Sequence, residues 1–577
     1  MTLSRALPGI VLILLITACS TPDTPAPPSG DDAGAESPLD FPLGDSPEAL
    51  VARAGAPLFD GMGEYHRAIT TQDPTAQRYF DQGMVLAFGF NHAESIRSFR
   101  AAQRLDDQCA MCFWGEALAT GPNINVTSKG KAVMSPEERV AAYGALRKAL
   151  GLKSRVTQIE RDFIDALAAR YNGDPETERE PLDLAYAASM RELVAKYPDD
   201  DDAAALYAEA WMNTMPWDYW SDDGKPKPET VEVIDALESI LARNNKHPLA
   251  LHLYIHAVEA SADPGRAEAA ADTLADLVPG SGHLVHMPSH IYWRVGRYRD
   301  ASEANVRAAA VDEDYIAQCN AQGFYPALYY PHNIHFLWAA SSMEGRGRVA
   351  IEAARKVAAN VRLEQIEQFP TIEFFKTIPL LALTQFGRWD EVLNEPRPPE
   401  QLDYSTAIWH YARGVALVNQ GDIGGAMAER EALVPLRDAA TVTFLDNADY
   451  PASMLLEIAD ELLMGEIAMA AGQLDAAIGN FSEAVEIQDQ LPYTEPPFWY
   501  YPTRQSLGMA FLRAGAYTRA EAVYRRDLAD YPLNGWSLFG LIQSLEAQGE
   551  TDEAETLRAE FEQIWARADV ALEGSRI

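Results

Sequence analysis

Tyr501–Asn534 reads YPTRQSLGMAFLRAGAYTRAEAVYRRDLADYPLN, with Gly508, Phe511, Ala520, Tyr524 and Pro532 at positions 8, 11, 20, 24 and 32 of the stretch. The next 34 residues, Gly535–Ala568, follow without a gap and carry Leu545, Gly549 and Ala554 at positions 11, 15 and 20. Upstream, Ile458–Leu491 places Gly465, Ala477, Phe481 and Ala484 at 8, 20, 24 and 27. Ala407–Ala440 places Gly414, Leu417, Gly421 and Ala426 at 8, 11, 15 and 20, and Ala76–Cys109 places Gly83, Leu86, Phe99 and Ala102 at 8, 11, 24 and 27. A fixed period of this length governs the whole fold expectation. Each unit is too small to bury its own apolar face, so stacking on its neighbours must create the core.

These positions resemble the tetratricopeptide repeat (TPR) family, in which small residues let neighbouring helices approach closely. The resemblance implies an all-α fold, a TPR-type solenoid of helical hairpins wound as a right-handed superhelix. It also implies that the first helix of each hairpin forms the concave wall, with residues 2, 5, 9, 12 and 13 facing the groove. Spacings of three and four residues are independently what one helical face requires. The resemblance runs from about Ala76 to the end, although Asn123–Lys246 and Glu352–Thr406 fit only as hairpins of variable length.

Met1–Ala18 holds one positive charge at Arg5, an apolar run Ile10–Ile16 and small residues before Cys19, which is the pattern of a signal peptide. The apolar run is shorter than the roughly 20 residues that cross a bilayer. Ile16-Thr17-Ala18-Cys19 resembles the lipobox of bacterial lipoproteins, which implies acylation of Cys19 and membrane attachment through it. Ser20, rather than Asp, follows, and this resembles lipoproteins sorted to the outer membrane and facing the periplasm. Residues 19–57 are rich in Pro, Asp, Ser, Gly and Ala, with too few large apolar side chains to offset the entropy of ordering, and read as a flexible tether. The expected organisation is therefore signal peptide 1–18, tether 19–57, helical hairpins 58–246, His-rich units 247–350 and a further array 351–577.

The chain is 47% hydrophobic with 24 Tyr and 11 Trp, enough to bury several domains or one long array. Its formal charge of −38 excludes a nucleic-acid partner, since phosphate backbones are held by clustered Lys and Arg. Such a charge favours cations, basic partners or simple solubility. Of four cysteines, Cys19 is assigned to lipid, while Cys109 and Cys112 form a Cys-Ala-Met-Cys pair and leave Cys319 over. A local disulfide, soft-metal binding and thiol chemistry are the alternatives for that pair. Phe113, not His, follows it, against c-type haem attachment.

Seven of eleven histidines lie within the 84 residues from His252 to His335, where an even spread would put fewer than two. Pro248–Ser281 and Gly282–Tyr315 are contiguous units, so His252 and His286 both take position 5, and His256 and His290 both take position 9. His283 takes position 2. The next unit starts at Pro331 if Gly345 is its position 15, which puts His332 at 2 and His335 at 5; reading Gly347 instead rotates both away. In this register all seven face the groove, joined by Glu259 at position 12. Imidazoles from helices about 8–10 Å apart can meet at one ion with bonds of about 2 Å.

The expectation is one or two transition-metal ions, copper, zinc or iron, on His252, His256, His283, His286, His290, His332 and His335, with Glu259, Cys319, Cys109 and Cys112 as secondary candidates. A proton-active or anion-binding pocket and a purely structural network are the alternatives. His252-Leu-Tyr-Ile-His256 lacks the Glu of a zinc-protease motif. His66, His92, His247 and His410 read as ordinary surface or core residues, and Met287 as core. Cys109–Asn125, Asn213–Trp220, Tyr325–Trp338 and Tyr493–Gln505 are rich in aromatics and Pro, fit either to line a ligand pocket or to wedge repeats apart. Two functions follow: metal handling or metal-assisted catalysis in the envelope, or a metal-free scaffold for an envelope protein or peptide.

Overall fold

Helix boundaries follow the 34-residue period. The computed structural model describes residues 47–126, 134–221, 224–319 and 324–577; the signal peptide, Cys19 and most of the expected tether lie outside them. Regular structure in the described residues is helical, and extended pairing is confined to the isolated bridges Asn123–Val126 and Trp220–Pro226. No described helix is long and apolar enough to cross a membrane. The described residues form two compact units, one running from residue 47 to Met287 together with Ala310–Pro326, the other Pro288–Ala309 with Ala327–Ile577.

In the first unit the helices that matter here are α1 (Pro74–Phe88), α2 (His92–Leu105), α3 (Ala110–Thr120), α4 (Asp201–Met212), α5 (Pro248–Val258) and the short α6 (Gly282–His286). Asp73 caps α1 by accepting from the Thr75 and Ala76 amides at 2.7 and 3.2 Å, with Pro74 in the first turn where its missing N–H costs nothing.

The second unit holds α7 (Tyr330–Met343), α8 (Gly347–Asn360), α9 (Asp403–Asn419), α10 (Ile423–Leu433), α11 (Ala452–Ala470), α12 (Leu474–Gln488), α13 (Arg504–Arg513), α14 (Tyr517–Asp530), α15 (Gly535–Gln548) and α16 (Thr551–Ile564). Consecutive pairs such as α9–α10, α11–α12, α13–α14 and α15–α16 are the hairpins of the repeat.

The packing explains the pattern. Tyr524, at position 24, is fully buried with its ring wedged between two glycines: a Cβ on Gly508 would lie 2.4 Å, and one on Gly540 2.3 Å, from its Cζ. Gly508 is position 8 of the same hairpin and Gly540 position 6 of the next. Phe99 repeats the arrangement between Gly83 and Gly115, and Phe481 lies likewise against Gly465. Removing such a ring costs about 3–5 kcal/mol, because its neighbours cannot collapse into the space.

Six of the hairpins turn at position 15, where Gly296, Gly345, Gly421, Gly472, Gly515 and Gly549 all have φ between 68 and 85°. That conformation is open to glycine and costly for other residues. The positive φ of Gly345, at 68°, also decides the register of the Pro331 unit, since Gly347 already lies within α8. The Ala76 unit departs from the rule: its position 15 is Phe90, at φ 56°.

Candidate metal centre

The site is built on the start of α5. His247 caps this helix by accepting from the Ala250 amide at Nδ1, 3.2 Å, while its Nε2 meets Asp202 of α4 at 3.1 Å. Burial would raise the Asp202 carboxyl, but hydrogen bonding and charge from His247 and Arg67 hold it well below the usual carboxylate range. Pro248 at the first helical position sets the helix phase from there. His252 and His256, one turn apart, then share a face.

His283 comes from α6. Its amide donates to Tyr325 Oη at 3.2 Å, and that hydroxyl donates to Asp312 Oδ1 at 2.8 Å. Gly282 is required beside it, because a Cβ there would sit 2.0 Å from Asp312 Oδ1.

The three imidazoles converge. Ring centroids are 4.9 Å apart for His252–His256 and 5.0 Å for His252–His283, and one ring nitrogen from each lies within 4.8 Å of the other two. His252 is fully buried, and His256 and His283 are each 3% exposed. Two ring orientations are fixed by outer partners. His252 Nδ1 lies 2.6 Å from the Phe88 carbonyl, which can only accept, so Nδ1 carries the proton and Nε2 is the nitrogen with the lone pair. His256 Nδ1 lies 2.9 Å from Glu259 Oε1, and a carboxylate there selects the same tautomer. Hydrogen bonds of this kind on the far nitrogen are how metal-ligating histidines are aimed.

Two aromatic residues enclose the cluster, and both are strained. Phe90 packs on all three rings, 4.5 Å from His252, 5.4 Å from His283 and 6.3 Å from His256, the last nearly parallel. Trp217 meets His256 edge-on at 5.1 Å and has φ 65°. The segment carrying Trp217 is pinned to α5 by the Trp220 indole, which donates to the Ala257 carbonyl at 2.8 Å. A non-glycine residue in the left-handed region costs of order 1–3 kcal/mol and persists where its surroundings over-determine it. Two of the four such residues described, Phe90 and Trp217, touch this one cluster. Neither figures among the candidates read from the sequence; the aromatic stretch Asn213–Trp220 is the one signal that points to Trp217.

The remaining candidates divide. His286 is buried in the first unit, its ring 5.7 Å from that of His283. Glu259 is 2% exposed and acts on His256. His290, His332 and His335 belong to the second unit. There the His290 and His332 rings are 5.9 Å apart, and His290 Nδ1 is 3.3 Å from Glu495 Oε2. His335 is set among rings rather than ligands, at 5.2 Å from Trp338, 5.4 Å from Phe374 and 5.6 Å from Phe375, and burial pushes its pKa down to about 3.

Cys109 and Cys112 are corrected as metal ligands. Cys109 and Cys112 are joined in a disulfide, which removes the thiolates that would bind an ion. Cys319 is buried beside Glu94 and Tyr315, and among the described residues it enters no ligand cluster. His66, His92 and His410 have structural partners in Asp81, the Ala119 carbonyl and Glu429.

Three imidazoles form a nitrogen donor set that suits zinc, copper(II) or iron(II). Around an ion with bonds of about 2.0–2.1 Å such nitrogens stand roughly 3.3 Å apart, so the cluster needs only a small inward side-chain movement to coordinate. The donor chemistry, tautomers and outer carboxylate all fit.

No family model matches the sequence, and no curated protein matches it. Among solved structures, the chain is similar to the human IFIT1 dimer with m7Gppp-AAAA at 11% identity, covering 74% of this chain and 87% of that one, TM-score 0.30. Yeast Tom70 matches at 12% identity over 86% of this chain and 93% of that one, TM-score 0.26. The P58(IPK) TPR domain matches at 9% identity over 83% and 99%, TM-score 0.21.

Proposed function

We propose that this chain is a helical-repeat scaffold that holds a divalent transition-metal ion on His252, His256 and His283. The observation that carries the reading is the convergence of three buried imidazoles with the far nitrogen of two already engaged, one by a carbonyl and one by a carboxylate. We take the ion to be zinc, which binds imidazole nitrogen in tetrahedral sites; copper(II) and iron(II) suit the same donors, whereas cuprous copper favours the sulfur donors that the cluster lacks. Ligands so little exposed suit an ion held in place, rigidifying the contact of α5 with α6. We place the protein in the envelope, anchored through acylated Cys19 at the outer membrane and facing the periplasm, on the strength of the Ile16–Cys19 motif and Ser20. Binding of an envelope protein or peptide partner is the second role that a helical-repeat scaffold supports.

Elemental analysis of the purified chain tests the metal reading. One equivalent of zinc is expected in the wild type and far less in His252→Ala plus His283→Ala. A wild type free of metal after incubation with zinc, or a double variant that keeps its equivalent, sinks it.

A further inference from the structure

The last ten residues, 568–577, leave α16 and run across the repeats of the second unit. Asp569 caps α8, accepting from the Gly347 and Arg348 amides at 2.6 and 3.1 Å. The Glu573 carbonyl accepts from Gln543 Nε2 of α15 at 3.0 Å, and Met509 Sδ of α13 lies 4.0 Å from where a Cβ on Gly574 would sit. Ser575 is fully buried: Oγ donates to the Gln505 carbonyl at 2.8 Å and accepts from Tyr524 Oη at 2.7 Å. Arg576, 7% exposed, stacks its guanidinium 3.6 Å over Tyr501 and 5.9 Å from Tyr500, whose hydroxyl is 3.0 Å from that of Tyr411. Glu466 of α11 supplies the opposing charge.

The repeat register gives these contacts a common meaning. Glu466, Met509 and Gln543 are all position 9 of their units, and Tyr411 and Gln505 are position 5, the positions that the family resemblance turns toward the groove. Segment 568–577 therefore crosses consecutive groove-facing helices in order, α15, α13, α11 and α9, as a bound peptide would. The fit is incomplete, because Arg576 Nε and Nη1 find no protein acceptor although both are buried.

We infer that the groove of the repeats from Ala407 to Ala568 is a peptide-binding site, filled here by the chain's own segment 568–577. Its ligand is an extended partner peptide with an arginine flanked by a small polar and an apolar residue, as Arg576 is by Ser575 and Ile577. The guanidinium enters the Tyr411–Tyr500–Tyr501 cage opposite Glu466, by cation–π and charge attraction. Because the tethered segment is present at high effective concentration, it competes with any such peptide.

The test uses a fluorescent peptide ADVALEGSRI and anisotropy titration. A chain lacking residues 574–577 is expected to bind it at least tenfold more tightly than the intact chain. The same peptide with Arg replaced by Ala should lose at least tenfold, and Glu466→Gln in the shortened chain should also weaken binding. A shortened chain that keeps its helical circular dichroism yet binds no peptide, or binds both peptides alike, overturns the inference. If the shortened chain loses its helical signal, the intact chain with Arg576→Ala decides: hydrogen exchange in 570–577 must accelerate at least tenfold, with exchange in α13 and α15 little changed. Unchanged exchange there overturns the inference. So does a dimer of the intact chain that dissociates with Arg576→Ala, since the groove would then exchange segments between copies.

Discussion

Replacing Glu259 by Gln separates an ion-binding role from mere packing. In the wild type the carboxylate holds the His256 Nδ1–H at 2.9 Å, with both side chains almost wholly buried. A carboxylate in this position makes the imidazole a stronger donor through its other nitrogen and fixes its tautomer. An amide oxygen keeps the hydrogen bond but surrenders the charge. Loss of such an outer partner lowers metal affinity about 10–100-fold, or roughly 1.4–2.8 kcal/mol. The consequence can be read on stability as well as on binding. At free zinc of about 1,000 times the wild-type Kd, binding adds about 4.1 kcal/mol to folding, and the variant at the same zinc keeps roughly 1.4–2.7 kcal/mol. Chelator-competition titration gives the affinities, and urea unfolding with and without zinc gives the stabilities. The reasoning is refuted if Glu259→Gln binds zinc as tightly as the wild type. It is refuted equally if the variant is destabilised by the same amount in the presence and absence of zinc, which would make Glu259 a packing group alone.

Three further outcomes are expected. His335 is held neutral by burial, with its pKa pushed down to about 3 against about 6.5 unfolded, so the unfolded chain takes the proton first and stability falls as pH drops from about 6.5 toward 3. His335→Phe should remove about 3 kcal/mol of that acid loss between pH 7 and pH 4; denaturation midpoints compared at the two pH values show it, and an undiminished acid shift would contradict it. Gly508→Ala drives a methyl group into Tyr524, whose ring cannot retreat from Gly540, and should cost about 1–3 kcal/mol in urea unfolding; an unchanged midpoint would mean the ring is not trapped. Cys19→Ser should abolish incorporation of radiolabelled palmitate, and retained label would place any acyl group elsewhere.

Much of the fold is legible because the determinants of a repeat hairpin are local. Gly at position 15 marks a left-handed turn, and a small residue at 8 with an aromatic at 24 marks one packing contact, so Gly508 and Tyr524 can be paired from spacing alone. The same logic places His252, His256 and His283 at groove-facing positions, and the structure brings these three of the seven together. What spacing does not convey is tertiary. Phe90 in the sequence is only a missing glycine, yet its ring packs on three imidazoles. His335 occupies a groove position, but the rings that surround it, Phe374 and Phe375, come from a stretch where the repeat is irregular. Cys319 stands thirteen residues before His332, but the two residues belong to different units. Segment 568–577 carries no repeat signature at all, and its path depends on residues contributed by five separate hairpins.

The rings trapped between paired glycines have a mechanical consequence. Because Tyr524 is gripped by one glycine from its own hairpin and one from the next, melting either hairpin strips the ring of half its enclosure and weakens the other. Fraying from an end should therefore advance two hairpins at a time, and the array should yield to force or denaturant in coarse steps rather than as a row of independent modules.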